Sequence, residues 1–256
     1  MNLDFVRARM PERKIYWHGS VSSTMTEAAR LAAEGCPSGT VVGAEEQTAG
    51  QGRFGRSWVS EKGLGLYFTV VLRLPLAPER LPVLTLALGL AVSDTLRLIA
   101  GVGCDLRWPN DVLIDERKCA GILVQLQDSV ILAGIGLNVN QLHFPDDISS
   151  QATSLALATG REHRREPLLV YLLGAIDSFN NVLLTSGIEP ILQMFENSSS
   201  YARGRRVVVD QADGRVEGIT EGLTPAGFLK IRKANGEIFT VLAGGVRPAA
   251  PSANLH

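Results

Sequence analysis

Nine residues, Gly50 to Trp58 (GQGRFGRSW), hold three glycines and two arginines. Glycine lets a backbone turn tightly and bring its N–H groups close to a ligand, and clustered N–H groups bind anions. Arginine adds a fixed positive charge and a planar fork of donors that matches a carboxylate or a phosphate. The segment is therefore expected to handle an anion. Gly50, Gly52 and Gly55 also fit the dinucleotide pattern G-x-G-x-x-G. That pattern works only where an apolar strand runs straight into the loop and a helix opens directly after it. Here Glu45-Glu46-Gln47-Thr48 separates the apolar run at 40–44 from the first glycine, and Arg56 to Gly65 has no helical periodicity. The helix that should hold a pyrophosphate is missing, so no dinucleotide site is expected. A solvated glycine linker does not fit either, because Phe54, Trp58 and paired arginines are not linker composition.

A second cluster lies at Arg107 to Gly121, RWPNDVLIDERKCAG. Pro109 fixes a turn, so Asn110 and Asp111 are expected where a strand begins. A strand–turn–strand path then returns Lys118 toward them. Lys118 heads the apolar run CAGILVQ and is placed to point into a cleft, while Gly121 leaves room for something to approach the sheet. Each residue also has a plain role: Asn110 and Asp111 can cap a turn, and Lys118 can be solvated. Arg107, Asn110, Asp111 and Lys118 together argue for a site.

The elements that must carry these clusters can be read from spacing. Ser22-Ser23-Thr24 caps an alanine-rich helix that runs to Glu34 and stops at Gly35 and Pro37. Thr40–Ala44 and Leu64–Leu72 read as strands on either side of the glycine-arginine loop. Leu81–Ala100 reads as a long helix; Pro82, Asp94 and Arg97 within it favour a buried core over a membrane span. Asp105–Trp108, Val112–Ile114, Ala120–Leu126 and Val130–Val139 are short strands joined by polar turns, which implies a largely antiparallel or mixed sheet. Helices are expected around Pro167–Leu184 and Ile188–Asn197.

Composition shifts at Ser198-Ser199-Ser200. Beyond it come four β-like runs, Arg206–Val209, Val216–Thr220, Phe228–Arg232 and Ile238–Leu242. They are separated by Asp213-Gly214, Thr224 to Gly227 and Asn235-Gly236. The spacing suggests a small barrel that leans on the larger unit. The expected organisation is a catalytic domain over 1–198, a small β-barrel over 199–248 and a frayed tail over 249–256.

The whole chain has 256 residues, 45% hydrophobic and 20% charged, with a formal net charge of −1. This is ordinary globular composition, without the positive field that sequence-independent nucleic-acid binding requires. The N-terminus, MNLDFVRARMPERK, has no apolar core like that of a secretory signal. Cys36, Cys104 and Cys119 match no metal-ligand spacing, so a cytoplasmic protein with reduced thiols and no metal site is expected. Cys119, beside Lys118, is either reactive or a small buried side chain.

Four segments in collinear order carry a resemblance: GQGRFGR at 50–56, RWPND at 107–111, RKCAGIL at 117–123 and GIGLNVN at 134–140. They resemble the biotin–protein ligases (biotin–acetyl-CoA-carboxylase ligases), whose members carry a GRGRRGR-like loop, KWPND, (R/K)KLAGIL and GIGxN. SST at 22–24 is close to the family's STN, and EEQTAG leads into the loop. The match runs from about residue 15 to 140. The fold it implies is α+β, a mixed or antiparallel sheet packed with helices in a class II synthetase-like catalytic domain, plus a small C-terminal SH3-like β-barrel.

The resemblance assigns Ser23, Thr24 and Met25 to the ureido end of biotin, where short hydroxyls suit a ring with one carbonyl and two N–H groups. It adds Gln47, and Gln51, Gly52 and Arg53 of the loop that closes over the acyl-adenylate. Lys118 reaches the biotin carboxylate and the α-phosphate. Gly121, Gly134 and Gly136 flank biotin. Arg56, Trp58, Asn110 and Asn138 join Arg53 and Lys118 around ATP, with Trp58 stacking on adenine or packing in the core. Asp111 either orients or deprotonates the acceptor amine, or is structural. Gln51, Phe54, Met25 and Arg107 depart from the family's usual residues, so the loop carries less charge.

The implied reaction joins biotin to ATP, with Mg²⁺ on the phosphates, as biotinyl-5′-AMP. The acyl group then passes to a lysine of a biotin carboxyl carrier domain of acetyl-CoA carboxylase or a related carboxylase. Two alternatives stay open: a lipoate or octanoate ligase of related fold, and a non-catalytic biotin-binding module. About 20 residues before the ligase pattern are too few for a helix-turn-helix, so DNA is not an expected partner, nor is a membrane. Monomer and homodimer are both compatible with the sequence.

Overall fold

The structure is a computed structural model and describes residues 1–211 and 214–249; Asp213 of one expected turn, and 250–256 of the expected tail, lie outside the described residues. Seven strands form the first sheet: β1 (Ile15–His18), β2 (Val41–Ala44), β3 (Gly65–Leu72), β4 (Asp105–Arg107), β5 (Asp111–Ile114), β6 (Arg117–Gln127) and β7 (Val130–Asn138). Their order is β1-β2-β3-β7-β6-β5-β4. Only the β1–β2 pair of this sheet is parallel. The sheet is thus mixed, as the polar turns predicted.

Helices cover both faces. Along the chain these are α1 (Leu3–Arg9), α2 (Thr24–Ala33), α3 (Leu81–Thr95), α4 (Asp146–Ser149), α5 (Leu155–Thr159), α6 (Arg165–Thr185) and α7 (Glu189–Asn197). Residues Leu96–Ala100 continue α3 as a π-helical turn, closed by Gly101 at φ 72°. Because successive strand residues face opposite ways, β3 and β7 feed two cores. Phe68, Val70, Ile131, Ala133 and Ile135 join α3, α6 and α7 in the large one. Val71 and Leu132 join Met25, Ala28 and Leu31 of α2 in a smaller one. Gly134 and Gly136 continue the Leu132 face without side chains, which leaves a hollow beside α2.

The N-terminal helix α1 and strand β1 were not read from the sequence. The seven residues of α1 (LDFVRAR) are too few to show a helical period and the four of β1 (IYWH) show no alternation, so tertiary packing decides: Val6 and Ile15 are buried in the large core.

The C-terminal part holds β8 (Arg203–Gln211), β9 (Gly214–Leu223), β10 (Leu229–Arg232), β11 (Ile238–Val241) and β12 (Gly245–Pro248). All pairs are antiparallel, in the order β11-β10-β9-β8-β12. The end strands β11 and β12 are not paired with each other, so the structure gives a five-stranded sheet where the sequence suggested a barrel. The fifth strand, GVRP, was also missed because a Gly start and a Pro end mask a short edge strand.

Candidate active site

The hollow beside α2 is walled by polar groups that already bond one another. Ser23 caps α2, its hydroxyl accepting from Met25 N–H at 3.2 Å. Thr24 N–H and Oγ1 both donate to Gln47 Oε1, at 2.8 and 3.1 Å. Thr24 Oγ1 also pairs with Thr69 Oγ1 at 2.9 Å, and Gln47 Nε2 donates to Ser60 Oγ at 2.9 Å. Ser23 therefore orders the start of the helix, and Ser23 and Thr24 both line the hollow. Met25 packs over Gly134, where a Cβ would stand 2.8 Å from its sulfur.

The glycine-arginine segment is a narrow hairpin. Gly52 N–H donates to Arg56 O at 2.7 Å and Trp58 N–H to Gly50 O at 2.9 Å. At its tip Arg53–Gly55 makes one 3-10 turn, with Phe54 at φ 57° and its side chain exposed. Gly50 is obligatory here, since a Cβ would lie 2.5 Å from Trp58 O. Arg53 reaches back from the tip: Nη1 donates to Asn110 Oδ1 at 3.0 Å and to Gly244 O at 3.4 Å. Burial pulls the Arg53 pKa down, with Asp111 opposing the shift and Arg56 reinforcing it.

The RWPND and RKCAG segments meet as the strand–turn–strand reading required. Asp111 opens β5, and its Oδ1 lies 2.6 Å from Lys118 Nζ. Its Oδ2 accepts from Arg107 Nε and Nη2 at 3.3 and 2.8 Å. Burial alone would raise the Asp111 pKa, but Lys118 and Arg107 outweigh it and hold the carboxyl below its usual range. A carboxylate gripped on both oxygens and stabilised as the anion is a weak proton acceptor. For Arg107, burial opposes the charge and Asp111 more than restores it, so its pKa rises. Asn110 Nδ2 donates to Ile122 O at 2.9 Å, which turns its Oδ1 toward Arg53. Cys119 is fully buried with its pKa pushed up by that burial, a packing residue and not a nucleophile.

Two neighbouring cavities that share part of their lining result. The inner one lies against the α2 face of the sheet and is lined by Ser23, Thr24, Met25, Gln47, Gln51, Gly52 and Arg53, with Lys118, Gly121, Gly134 and Gly136 opposite. These are the eleven residues expected around biotin. The outer cavity, about 270 Å³, is lined by Arg53, Arg56, Trp58, Asn110, Lys118 and Asn138, all six expected around ATP. Arg53 and Lys118 line both and stand at the junction. Trp58 also lines both; its indole lies where Cβ atoms of Gly136 and Gly121 would be, at 2.3 and 2.9 Å. Its Nε1 is buried without a hydrogen-bond partner. A buried donor of this kind, beside a cavity, is free for a ligand acceptor. Asn138 is held by its Nδ2 on Thr153 O at 3.0 Å.

Sequence reasoning missed three groups. Thr69 and Ser60 complete the Thr24–Gln47 network but lie in a strand and a loop with no distinguishing spacing. The 144–152 segment, with Phe144, Asp147 and Gln151, walls the outer cavity because Lys118 pairs with it, Lys118 N–H donating to Gln151 O at 2.7 Å. Gly245 of the C-terminal sheet lines the same cavity, a contact across more than a hundred residues that no local pattern signals.

The model of the biotin/lipoate A/B protein ligase family matches residues 17–141. The bifunctional ligase/repressor BirA of Bacillus subtilis is 38% identical over 197 residues, 74% of this chain and 60% of that protein. The chain thus spans about three fifths of the length of that relative. The biotin–[acetyl-CoA-carboxylase] ligase of Mycobacterium tuberculosis is 34% identical over 227 residues, covering 85% of this chain and 82% of that protein. Among solved structures, biotin protein ligase from Aquifex aeolicus in complex with biotin and ATP superposes with a TM-score of 0.81 at 34% identity. It covers 91% of this chain and 97% of its own.

Proposed function

The chain belongs to the biotin–protein ligase family, and from that membership we infer that it is an ATP-dependent biotin–protein ligase. The observation that carries the reading is the junction: two cations, Arg53 and Lys118, stand between a small polar hollow and a larger cavity. A carboxylate presented from the hollow and the α-phosphate of a nucleotide in the cavity would meet there. The biotin carboxylate attacks the α-phosphorus, forming an acyl–phosphate bond, and the α–β bond breaks to release pyrophosphate. No general base is needed, since a carboxylate is ionised at neutral pH. The difficulty is bringing two anions together, and fixed cations lower that cost.

In the second step a carrier-domain lysine, as the neutral amine, attacks the acyl carbon; the amide forms as the nitrogen gives up one proton to solvent, and AMP leaves with the anhydride oxygen. The Asp111 carboxylate, committed to Arg107 and Lys118, is assigned to orienting Lys118 and not to taking the amine proton. Mg²⁺ enters with ATP as part of the substrate. The described residues include no cluster of three or more His, Cys, Asp or Glu side chains suited to a metal, and no step is routed through a protein-bound ion.

Biotin is preferred over lipoate because Thr24 and Gln47, held in place by Thr69 and Ser60, bring polar donors and acceptors to the inner cavity that suit a ureido ring. A lipoyl group has no use for them. The acceptor in this reading is a carboxyl carrier domain of acetyl-CoA carboxylase or a related enzyme. We take 1–198 as the catalytic unit and 199–248 as an SH3-like unit beside it, in a cytoplasmic protein. The test is to incubate the chain with Mg-ATP, a carrier domain and either biotin or lipoate. Intact mass should rise by one biotinyl group with biotin alone; lipoyl transfer instead, or pyrophosphate release with neither, overturns the assignment.

A further inference from the structure

Arg107 is delivered to the site by β4, and β4 is stitched to the connector that follows α7. Leu106 N–H donates to Ser198 O at 3.1 Å, and Ser199 Oγ donates to Leu106 O at 2.5 Å. Asp105 accepts from Ser200 N–H at 2.8 Å and from Ser200 Oγ at 2.5 Å. The serine run that marks a composition shift in the sequence is therefore bonded to the residues just before Arg107. The next residue, Tyr201, is fully buried. Its ring lies under two guanidinium groups, with Arg205 at 3.9 Å and Arg107 at 5.9 Å from the centroid. Its hydroxyl donates to Glu116 Oε2 at 2.6 Å, and Arg205 Nη2 grips the same carboxylate at 2.7 and 2.9 Å. Glu116 lies in the turn between β5 and β6, where Asp115 and Glu116 take φ values of 48° and 63°. That turn sets the path by which Lys118 returns to Asp111. Burial, reinforced by Glu116, pushes the Tyr201 pKa up to about 12, so its hydroxyl stays a donor through the neutral range.

We propose that Tyr201 is a positioning residue through which the C-terminal sheet aims Lys118. The ring face supports Arg107, Arg107 fixes Asp111 Oδ2, and the carboxylate so held presents Oδ1 to Lys118. The hydroxyl ties the same ring to the β5–β6 turn, so one side chain bears on both Arg107 of β4 and the turn that leads to Lys118. Without the ring, Arg107 loses its seat, the Asp111 carboxylate turns, and Lys118 moves off the line between the two cavities. The kinetic readout of this proposal rests on the ligase reading; the geometric readout does not.

The experiment uses the full chain and two substitutions, Tyr201→Phe, which keeps the ring, and Tyr201→Leu, which removes it. The first readout needs no substrate: the ¹⁵N–¹H signal of Arg107 Nε, assigned by its loss in Arg107→Lys. It should persist in the wild type and Tyr201→Phe, and shift or broaden away in Tyr201→Leu while circular dichroism stays unchanged. The second is biotin-dependent ATP–pyrophosphate exchange. Displacing a positioned group by about 1 Å can cost up to about a hundredfold, and Tyr201→Leu should lower kcat by about tenfold with a smaller change in KM for biotin. On an Arg107→Ala background it should add less than twofold, because both changes break one chain of contacts. A folded Tyr201→Leu variant with an unchanged Arg107 signal overturns the proposal. Wild type that shows the signal but no exchange with biotin overturns the ligase reading instead, and the signal alone then decides the positioning role. Should Tyr201→Leu fail to fold, Tyr201→Met removes the ring with a smaller loss of volume, and an unchanged Arg107 signal in that folded variant is equally fatal.

Discussion

Lys118 and Asp111 form one unit, and substitutions at either residue should act differently. Lys118→Ala removes a cation from the junction of the two cavities while leaving Asp111 paired with Arg107. Loss of a preorganised charge that stabilises a developing anion costs about 10²–10³ in rate, so biotin-dependent pyrophosphate release should fall by that factor with little change in the thermal midpoint. Release within threefold of wild type would remove Lys118 from the mechanism. Asp111→Asn leaves two cations beside a neutral amide and should destabilise the fold by about 2 kcal/mol at neutral pH. The sign of the pH dependence follows from the depressed pKa of Asp111. A carboxylate held below its ordinary value stabilises the fold above that value, about 3.9, and loses the contribution as pH falls through the lower folded value. The gap in urea midpoint between wild type and Asp111→Asn should therefore be flat from pH 7 to 5 and narrow below pH 4. A gap that widens on acidification contradicts the ion-pair assignment.

At the scale of elements, the hairpin from Gly50 to Trp58 shows what the sequence could and could not convey. Its glycines and arginines announced an anion site, and the absence of a following helix correctly removed the dinucleotide reading. The hairpin's closure depends on partners far away: Arg53 is anchored on Asn110 Oδ1 and Gly244 O. Arg53→Gly removes both anchors and one of the two junction cations. The tip then has no tether to the RWPND turn, and an acyl-adenylate beneath it would meet water and free amines. Increased release of biotinyl-adenylate, at least tenfold over wild type by filtration of the mixture, is the expected result, together with biotin on lysines of bystander proteins. Retention equal to wild type would mean that the hairpin is not the lid. The strands and long helices were legible because alternation of 2 and runs of apolar residues survive in LGLYFTVVL and VILAGIGLNV. Most residues around both cavities were legible through the four collinear motifs together with SST and EEQTAG, but the 144–152 segment was not. Thr69, Ser60 and Gly245 were not, since each owes its place to packing between distant segments, and α1 and β1 owe theirs to burial of Val6 and Ile15 under other elements.

Over the whole molecule, the two sheets share groups that neither can satisfy alone. Trp108, buried beside the RWPND turn, donates its Nε1–H to Gly227 O of the C-terminal sheet at 2.9 Å. Gly227 takes φ 82°, and a Cβ there would stand 3.0 Å from Val83 of α3, so that turn is fitted closely to the long core helix. Val207, Val209, Leu223, Leu229 and Ile231 of the C-terminal sheet belong to the same hydrophobic cluster as α3 and α6. A sheet of this size has little core of its own, and separating it would expose that shared surface and leave the Trp108 donor and Tyr201 hydroxyl without partners. The chain should therefore unfold as one cooperative unit. Scanning calorimetry is expected to give a single transition whose calorimetric and van't Hoff enthalpies agree. The thermal midpoint of Tyr201→Leu and Trp108→Phe should shift for both sheets together, followed by far-UV dichroism and by tryptophan fluorescence. Two resolved transitions, or a C-terminal sheet that melts ahead of the loss of adenylate formation, would mean that the active site does not depend on the second sheet, and the shared core would then be a docking surface and not part of one folding unit.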